Sequence, residues 1–450
     1  MGTERDDSIG RKMLDTIFKI RENGTTVKTE IVAGITTFMT MAYIIAANPL
    51  ILSAAGMDKG AVVLATCLVS GIITIIMGIY ANYPIALAPG MGINAFFAYS
   101  ICKAMNIDWR VGLGFFFIEG CVILIITLTK FREKIIYAIP LSLKCAVSVG
   151  IGLFLAFIGF ENAGLITGSP ATLVTIAPLG NSDVYPKIVL AGIVLFVTAA
   201  LLVRGVGGAL LIGIVTGTLL SFIPFFQMRG EALTVLNPSL TSTFLQLDIP
   251  GALQWSFASL ILTLLFVDFF DTAGTVVGLS VKAGFIDEEG KIPRLGKVLI
   301  SDSFGPVIAS LFGTSTVTSY IESVAGIEAG GRTGLTAVVT GILFLVAMVA
   351  APLVGFIPAA AIAPALIIVG ILMMESVRKI DFSDFSEAIP AFITITAMPF
   401  TYSISNGIFL GFLSFVLIKL FCGRMREVSP IMYVLAVLFL LFFFISPIYR

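Results

Sequence analysis

Tyr83-Pro-Ile-Ala-Leu-Ala-Pro-Gly-Met-Gly-Ile-Asn-Ala-Phe-Phe97 stands among long apolar runs, yet it cannot cross a membrane as one continuous helix. Pro89 removes an amide donor and its ring obstructs the preceding turn, while Gly90 and Gly92 each disfavour a helix interior by about 1 kcal/mol relative to alanine. The surrounding chain is plainly membrane-embedded. Its 450 residues are 58% hydrophobic and 12% charged, with mean hydropathy +1.06, where a soluble domain carries about 25% charged residues. Apolar stretches near the roughly 20 residues needed to cross a bilayer recur from Ile31 to Pro447. Backbone that leaves the helix at such depth must be buried in protein or line a cavity.

A second stretch has the same character. Gly313-Thr-Ser-Thr-Val-Thr-Ser-Tyr320 is rich in β-branched and hydroxyl residues that favour extended chain. Crossings read at about 31–53, 60–80, 84–104, 110–130, 138–161, 187–203, 206–226, 252–281, 296–312, 313–329, 332–355, 358–376, 388–402 and 405–421 make the two irregular segments the third of each seven. Interrupted segments at corresponding places point to an inverted-repeat transporter. The expected fold is therefore an all-α polytopic membrane protein of about 14 transmembrane helices in 7+7 repeats, with short extended segments in spans 3 and 10. The apolar stretch 431–445 is left over, and its course is open.

Two acids lie where lipid would not tolerate them. Asp268 sits in Leu264-Leu-Phe-Val-Asp-Phe-Phe-Asp-Thr-Ala-Gly274, and Glu322 follows the hydroxyl-rich stretch. A charge at the bilayer centre costs roughly 2.5–3.5 kcal/mol on insertion scales, so such residues by default face a cavity and handle a substrate or proton. Asp271, three residues after Asp268, shares its helix face. Glu119 is a rival intramembrane acid, expected to pair with a polar group between helices. Asp302, Glu328 and Arg332 read as span-end residues, interfacial or gating. Thr37, Thr40 and Asn48 read as hydrogen-bonding between helices.

Positive charge favours a cytoplasmic N-terminus. The inner loops then carry Lys130, Arg132, Lys134, Arg204, Lys282, Lys291, Arg294, Lys297, Arg378, Lys379, Arg424 and Arg426, against Lys59, Lys103, Arg110, Lys187 and Arg229 outside. Asp287-Glu-Glu289 reads as a solvated cytoplasmic loop. The first 28 residues show no signal-peptide pattern, so the first span is expected to serve as an uncleaved anchor. Net charge is zero, which implies no nucleic-acid partner. Cys67, Cys102, Cys121, Cys145 and Cys422 have no metal-ligand spacing, and there is no histidine. No metal or cofactor is called for, and any proton chemistry falls to carboxylates. No GxxxxGK[ST] loop is present, which argues against a self-contained ATP pump.

Several long motifs in order carry a family resemblance: Thr29-Glu-Ile-Val-Ala-Gly-Ile-Thr-Thr-Phe-Met-Thr-Met-Ala-Tyr43, Ala88-Pro-Gly-Met-Gly-Ile-Asn-Ala-Phe-Phe97, Phe266-Val-Asp-Phe-Phe-Asp-Thr-Ala-Gly-Thr275, Gly313-Thr-Ser-Thr-Val-Thr-Ser-Tyr-Ile-Glu-Ser323 and Ile389-Pro-Ala-Phe-Ile-Thr394. On these the chain resembles the adenine–guanine–hypoxanthine permeases, the AzgA-like branch of the nucleobase–cation symporters. The resemblance implies a cytoplasmic segment 1–28, a core domain of 29–130 and 250–355, and a gate domain of 131–228 and 356–450. It implies purine import by proton symport across the cell membrane, with a homodimer through the gate domain as a family expectation. By position, Asp268 matches the family's substrate-binding acid of span 8, Glu322 that of span 10, and Asn94 the amide of span 3. Asp271 matches a second acid with a structural or coupling role.

The chemistry suits that assignment. Carboxylates accept ring N–H groups strongly, and charge roughly doubles such a bond. Asn94 offers a donor and an acceptor to a carbonyl beside a ring nitrogen. Tyr320, two residues before Glu322 in extended chain, would point to the same side and cover the ring, with Phe97 or Phe96 as alternatives. Burial favours the neutral form of a carboxyl, so one of Asp268, Asp271 or Glu322 is expected to carry the proton. Competing readings are a uracil/xanthine or anion transporter of the same fold, a membrane hydrolase with paired aspartates, and a passive channel. An anion site would want positive charge where this chain has acids.

Overall fold

A computed structural model describes residues 14–129, 132, 138–170, 172–178, 184–226, 236–285 and 292–445. Lys130, Lys134, Arg229, Lys291, the run 287–289 and the first 13 residues of the N-terminal segment lie outside that set.

Among the described residues, ten helices are long and apolar enough to cross a membrane. Sequence chemistry sets their ends. The first crossing starts where Thr26 Oγ1 accepts the Thr29 amide at 3.2 Å and caps α1 (Val27–Met41). It breaks at Tyr43 and resumes as α2 (Ile44–Ser53). Asp58 caps α3 (Lys59–Ile76), accepting the Ala61 amide at 2.7 Å. After the irregular third segment come α5 (Trp109–Leu128), α6 (Leu141–Asn162), α7 (Tyr185–Val203) and the 13-residue α8 (Ala209–Ser221). The second half holds α9 (Ala258–Lys282), α10 (Leu295–Phe312), α12 (Gly334–Ala347), α13 (Ala359–Met374), α14 (Phe385–Phe400) and α15 (Ile404–Phe421). The expected crossings at 206–226 and 388–402 are thus short apolar helices, α8 and α14.

The third and tenth segments are the irregular ones, as their residues dictate. β1 (Leu87–Pro89) leads into α4 (Met91–Ala95), which continues as a wide π-helical turn over Phe96–Ala104. β4 (Val317–Ser319) leads into the short α11 (Ser323–Glu328). A separate hairpin of β2 (Ile166–Ser169) and β3 (Leu173–Ile176) joins α6 to α7.

Packing sorts the helices into two groups. α1, α3, α5, α9, α10 and α12 pack on one another, and α6, α7, α8, α13, α14 and α15 form the second group. Lipid gives helices no hydrophobic reason to associate, so close approach depends on small residues. A Cβ at Gly334 would fall 1.8 Å from the Gly78 carbonyl, and one at Gly370 would fall 2.4 Å from that of Gly152. Glu30 joins α1 to α12: its carboxylate accepts the Arg332, Thr333 and Thr336 amides at 2.9, 3.2 and 3.2 Å, where α12 begins. Between the groups, Ser100 donates to the Tyr402 carbonyl at 2.9 Å, and within the second group the Tyr402 hydroxyl donates to Glu161 at 2.7 Å. The leftover stretch forms α16 (Pro430–Ile445). At about 24 Å it is shorter than the roughly 30 Å hydrocarbon core, and it lies against α15 and α9.

Candidate functional site

β1 and β4 pair antiparallel, with Leu87 opposite Ser319, Ala88 opposite Thr318 and Pro89 opposite Val317. The pairing extends through Gly90 N to Thr316 O at 2.9 Å and Tyr320 N to Ala86 O at 3.0 Å. The outer edges are satisfied too. Thr74 bonds the Leu87 amide at 2.9 Å, Ser323 the Ala86 amide at 3.0 Å, and Asp302 the Ser319 amide at 3.1 Å. Non-helical backbone inside the membrane is thereby completely bonded at these positions.

The hydroxyl-rich motif fastens this sheet to its surroundings residue by residue. Thr314 receives the Asn48 amide at 2.9 Å, and Ser315 donates to Asn94. Thr316 reaches Glu119 at 3.3 Å, Thr318 meets Thr272 at 3.0 Å, and Ser319 donates to Asp302 at 3.0 Å.

Glu322 stands just past β4 and is partly exposed. Its Oε1 accepts the Tyr43 hydroxyl at 2.8 Å. Tyr320 is buried, with its hydroxyl on the Pro89 carbonyl at 2.6 Å. Asp271 on α9 is also partly exposed. Its Oδ2 lies 3.4 Å from where a Cβ would sit on Gly90, which places the acid at the β1–α4 corner; the tighter neighbour of that Cβ would be Thr318 Cγ2, at 3.0 Å. Asp271 and Glu322 lie within electrostatic reach of one another, and they flank the joined ends of the two extended segments.

Asp268 is placed otherwise than its motif suggested. It is 1% exposed and turned toward Arg132, whose Nη2 is 3.7 Å away, rather than toward Glu322. The i, i+3 step on α9 separates the two aspartates: Asp271 looks to the sheet ends and Asp268 to the interior. Asn94 is fully buried and occupied, donating to Asn48 at 2.7 Å and accepting from Ser315. Asn48 in turn binds Thr66 at 2.8 Å, so these side chains brace spans 1, 2, 3 and 10 together. Phe97 is buried against Phe116 with centroids 5.0 Å apart, and Phe96 is buried as well.

Two readings are corrected, one of a span-end acid and one of a loop charge. Asp302 is fully buried and binds Arg132, Thr272 and Ser319, because α10 carries it inward behind β4. Arg132, counted above as a loop charge, is likewise fully buried, since Asp302 offers it a bond at 3.0 Å. Sequence reasoning missed Tyr43 as a partner of Glu322. Its signal was a tyrosine at the break of the first crossing, closing the Thr29–Tyr43 motif.

Comparison with known proteins agrees with this architecture. The transmembrane domain of a cyanobacterium bicarbonate transporter, BicA, superposes with TM-score 0.65 at 17% identity, covering 85% of this chain and 96% of that one. SLC26A9 gives 0.64 at 11% identity, covering 93% and 70%. At such identity the likeness concerns the fold alone. In sequence, the chain is 44% identical to the adenine permease AdeP of Escherichia coli, over 96% of each protein. It is also 44% identical to the guanine/hypoxanthine permease PbuG of Bacillus subtilis, over 96% of this chain and 99% of that one. A 51% identical Methanocaldococcus jannaschii protein, MJ0326, carries only the general designation of permease. The model described as "Permease family", that of the xanthine/uracil permeases, matches residues 28–410. The chain is therefore a multi-pass membrane transporter, not an enzyme, and it belongs to the xanthine/uracil permease family.

Proposed function

We propose that the chain imports purine nucleobases (hypoxanthine, guanine or adenine) by proton symport. The observation that carries this reading is the pair of partly exposed carboxylates, Asp271 and Glu322, at the ends of the bonded β1–β4 segments. A neutral, planar base edged with N–H groups suits two such acceptors, and Tyr320 beside them offers an aromatic edge. The names of AdeP and PbuG support the purine class. The fold shared with a bicarbonate transporter raises an anion as cargo, but two acids at the opening oppose an anion.

Transport would proceed by motion of the α1–α5 and α9–α12 group against the other helices, as a core against a gate built on inverted repeats. The Ser100–Tyr402 bond would open and close in that cycle. The proposed setting is the cell membrane, N-terminus in the cytoplasm, with a homodimer through the gate helices.

Reconstituted protein tests the proposal. Labelled hypoxanthine, guanine and adenine should accumulate when a proton gradient is imposed, without sodium, and unlabelled bases but not bicarbonate or sulfate should compete. Accumulation driven by sodium alone would overturn the proton assignment, and competition by bicarbonate but by no base would overturn the cargo.

A further inference from the structure

Behind the sheet, away from Glu322, lies a group of acids that base binding does not use. Glu119 of α5, Asp268 of α9 and Asp302 of α10 gather around Arg132, and none of the four is more than 1% exposed. Their bonds are unequally shared. Asp302 accepts from Arg132 at 3.0 Å, Thr272 at 2.8 Å, and the Ser319 amide and hydroxyl at 3.1 and 3.0 Å. Four donors match the lone-pair sites of an ionised carboxylate. Asp268 approaches Arg132 only at 3.7 Å, and neither of its oxygens has a hydrogen bond among the described residues. Glu119 Oε2 meets the Thr316 hydroxyl at 3.3 Å, and its Oε1 meets no donor among the described residues.

Charge counting then decides their state. Among the described residues one guanidinium faces the three acids, and Asp302 holds its 3.0 Å contact. A second and third buried anion with so few donors among the described residues would be strongly disfavoured, which favours the neutral form of Asp268 and Glu119. The cluster is not arranged as a metal-ligand set among the described residues.

We propose that Asp268 and Glu119, rather than the base-facing acids, hold the proton that travels with the substrate; this rests on the symport reading above. Among the described residues, the ionisable groups in electrostatic reach of the pair are Arg132, Asp302 and Asp271, with Cys121 beside Glu119. Asp271, one helical turn along and partly exposed, is the way out: once the Asp268 side chain turns from Arg132 or a water bridges the two acids, the O–H of Asp268 gives its proton to the Asp271 carboxylate, which passes it to water. The link to the base is Thr316. Its hydroxyl is the donor that reaches Glu119, while its carbonyl receives the Gly90 amide at the corner where Asp271 faces β1. A base that shifts the strand pair therefore shifts the group that stabilises an ionised Glu119.

Purified full-length protein in liposomes tests this with hypoxanthine as substrate and a trapped pH dye. Glu119→Gln and Asp268→Asn should keep hypoxanthine counterflow, which needs no gradient, while losing about tenfold or more of proton-driven accumulation. Variants that still accumulate and carry protons like the wild type overturn the proposal and leave symport standing. A wild type indifferent to the gradient overturns symport itself. Infrared difference spectra after a pH jump need no base and no altered cluster. A protonated-carboxyl band should survive in Asp271→Asn and Glu322→Gln; its loss in both would assign the proton to those acids and overturn the proposal.

Discussion

Glu322 and Asp271 are the two side chains whose chemistry the proposed cargo depends on most. Each would supply a charge-assisted hydrogen bond of about 1.5–3 kcal/mol, so Glu322→Gln or Asp271→Asn should weaken base binding by about 10–100-fold. Isothermal titration with hypoxanthine reads this directly, and wild-type affinity in either variant would remove that residue from the site. Tyr43→Phe is a milder probe. It deletes the 2.8 Å bond that orients Glu322, a neutral donor worth about 1 kcal/mol, so affinity should fall about fivefold with the fold intact. The same scale shows what the amino-acid string did and did not reveal. That acids occur in spans 8 and 10 was legible from composition and position. Which of Asp268 and Asp271 looks into the opening was not, because a step of three residues leaves both on one broad helix face. Only the approach of Gly90 on one side and Arg132 on the other separates them. Arg132 itself was hidden by its neighbours: between Lys130 and Lys134 it reads as one loop charge among three.

The elements were more readable than the contacts. Pro89 and Gly90 oppose a continuous helix, and the hydroxyl run favours extended chain, so both breaks could be read from the residues, although Gly92 sits inside α4. That the breaks bond to each other with Ala88 opposite Thr318 is a long-range fact that no local rule supplies. Helix pairing is likewise set by small residues whose partners the string does not name. Gly334→Leu would drive a side chain into the Gly78 carbonyl. Overpacking of this kind costs about 1–3 kcal/mol, and more where backbone must move. The variant should lose most of its folded yield and melt earlier in detergent, as size-exclusion chromatography and a thermal scan would show. Gly192, which faces open space, should accept alanine with no such change.

At the scale of the whole molecule, one cluster ties the ends of the second helix group together. Arg424 binds Asp384 at 2.7 Å and Glu427 at 2.6 Å, while Lys419 binds Glu387 at 2.7 Å and Glu427 at 2.8 Å. Bonds from Ser386 and then Arg424 hold the Asp384 carboxyl well below its ordinary range, and Arg424 and Lys419 lower that of Glu427. A carboxyl whose folded value is depressed contributes stability above its unfolded value and loses it as pH falls through the folded one. Melting temperature in detergent should therefore drop on acidification from about pH 5 toward pH 3. Arg424→Gln should shrink that drop, and an unchanged acid limb would count against the cluster's role. The strand pair has a consequence of another kind. Leu87 and Ser319 are brought together from opposite halves of the polypeptide. During synthesis the early segment must wait in the membrane, its Ala86 and Gly90 amides and the Asn94 side-chain oxygen lacking their eventual partners, until the tenth crossing has been inserted. No N-terminal fragment, however well it inserts, can own this site.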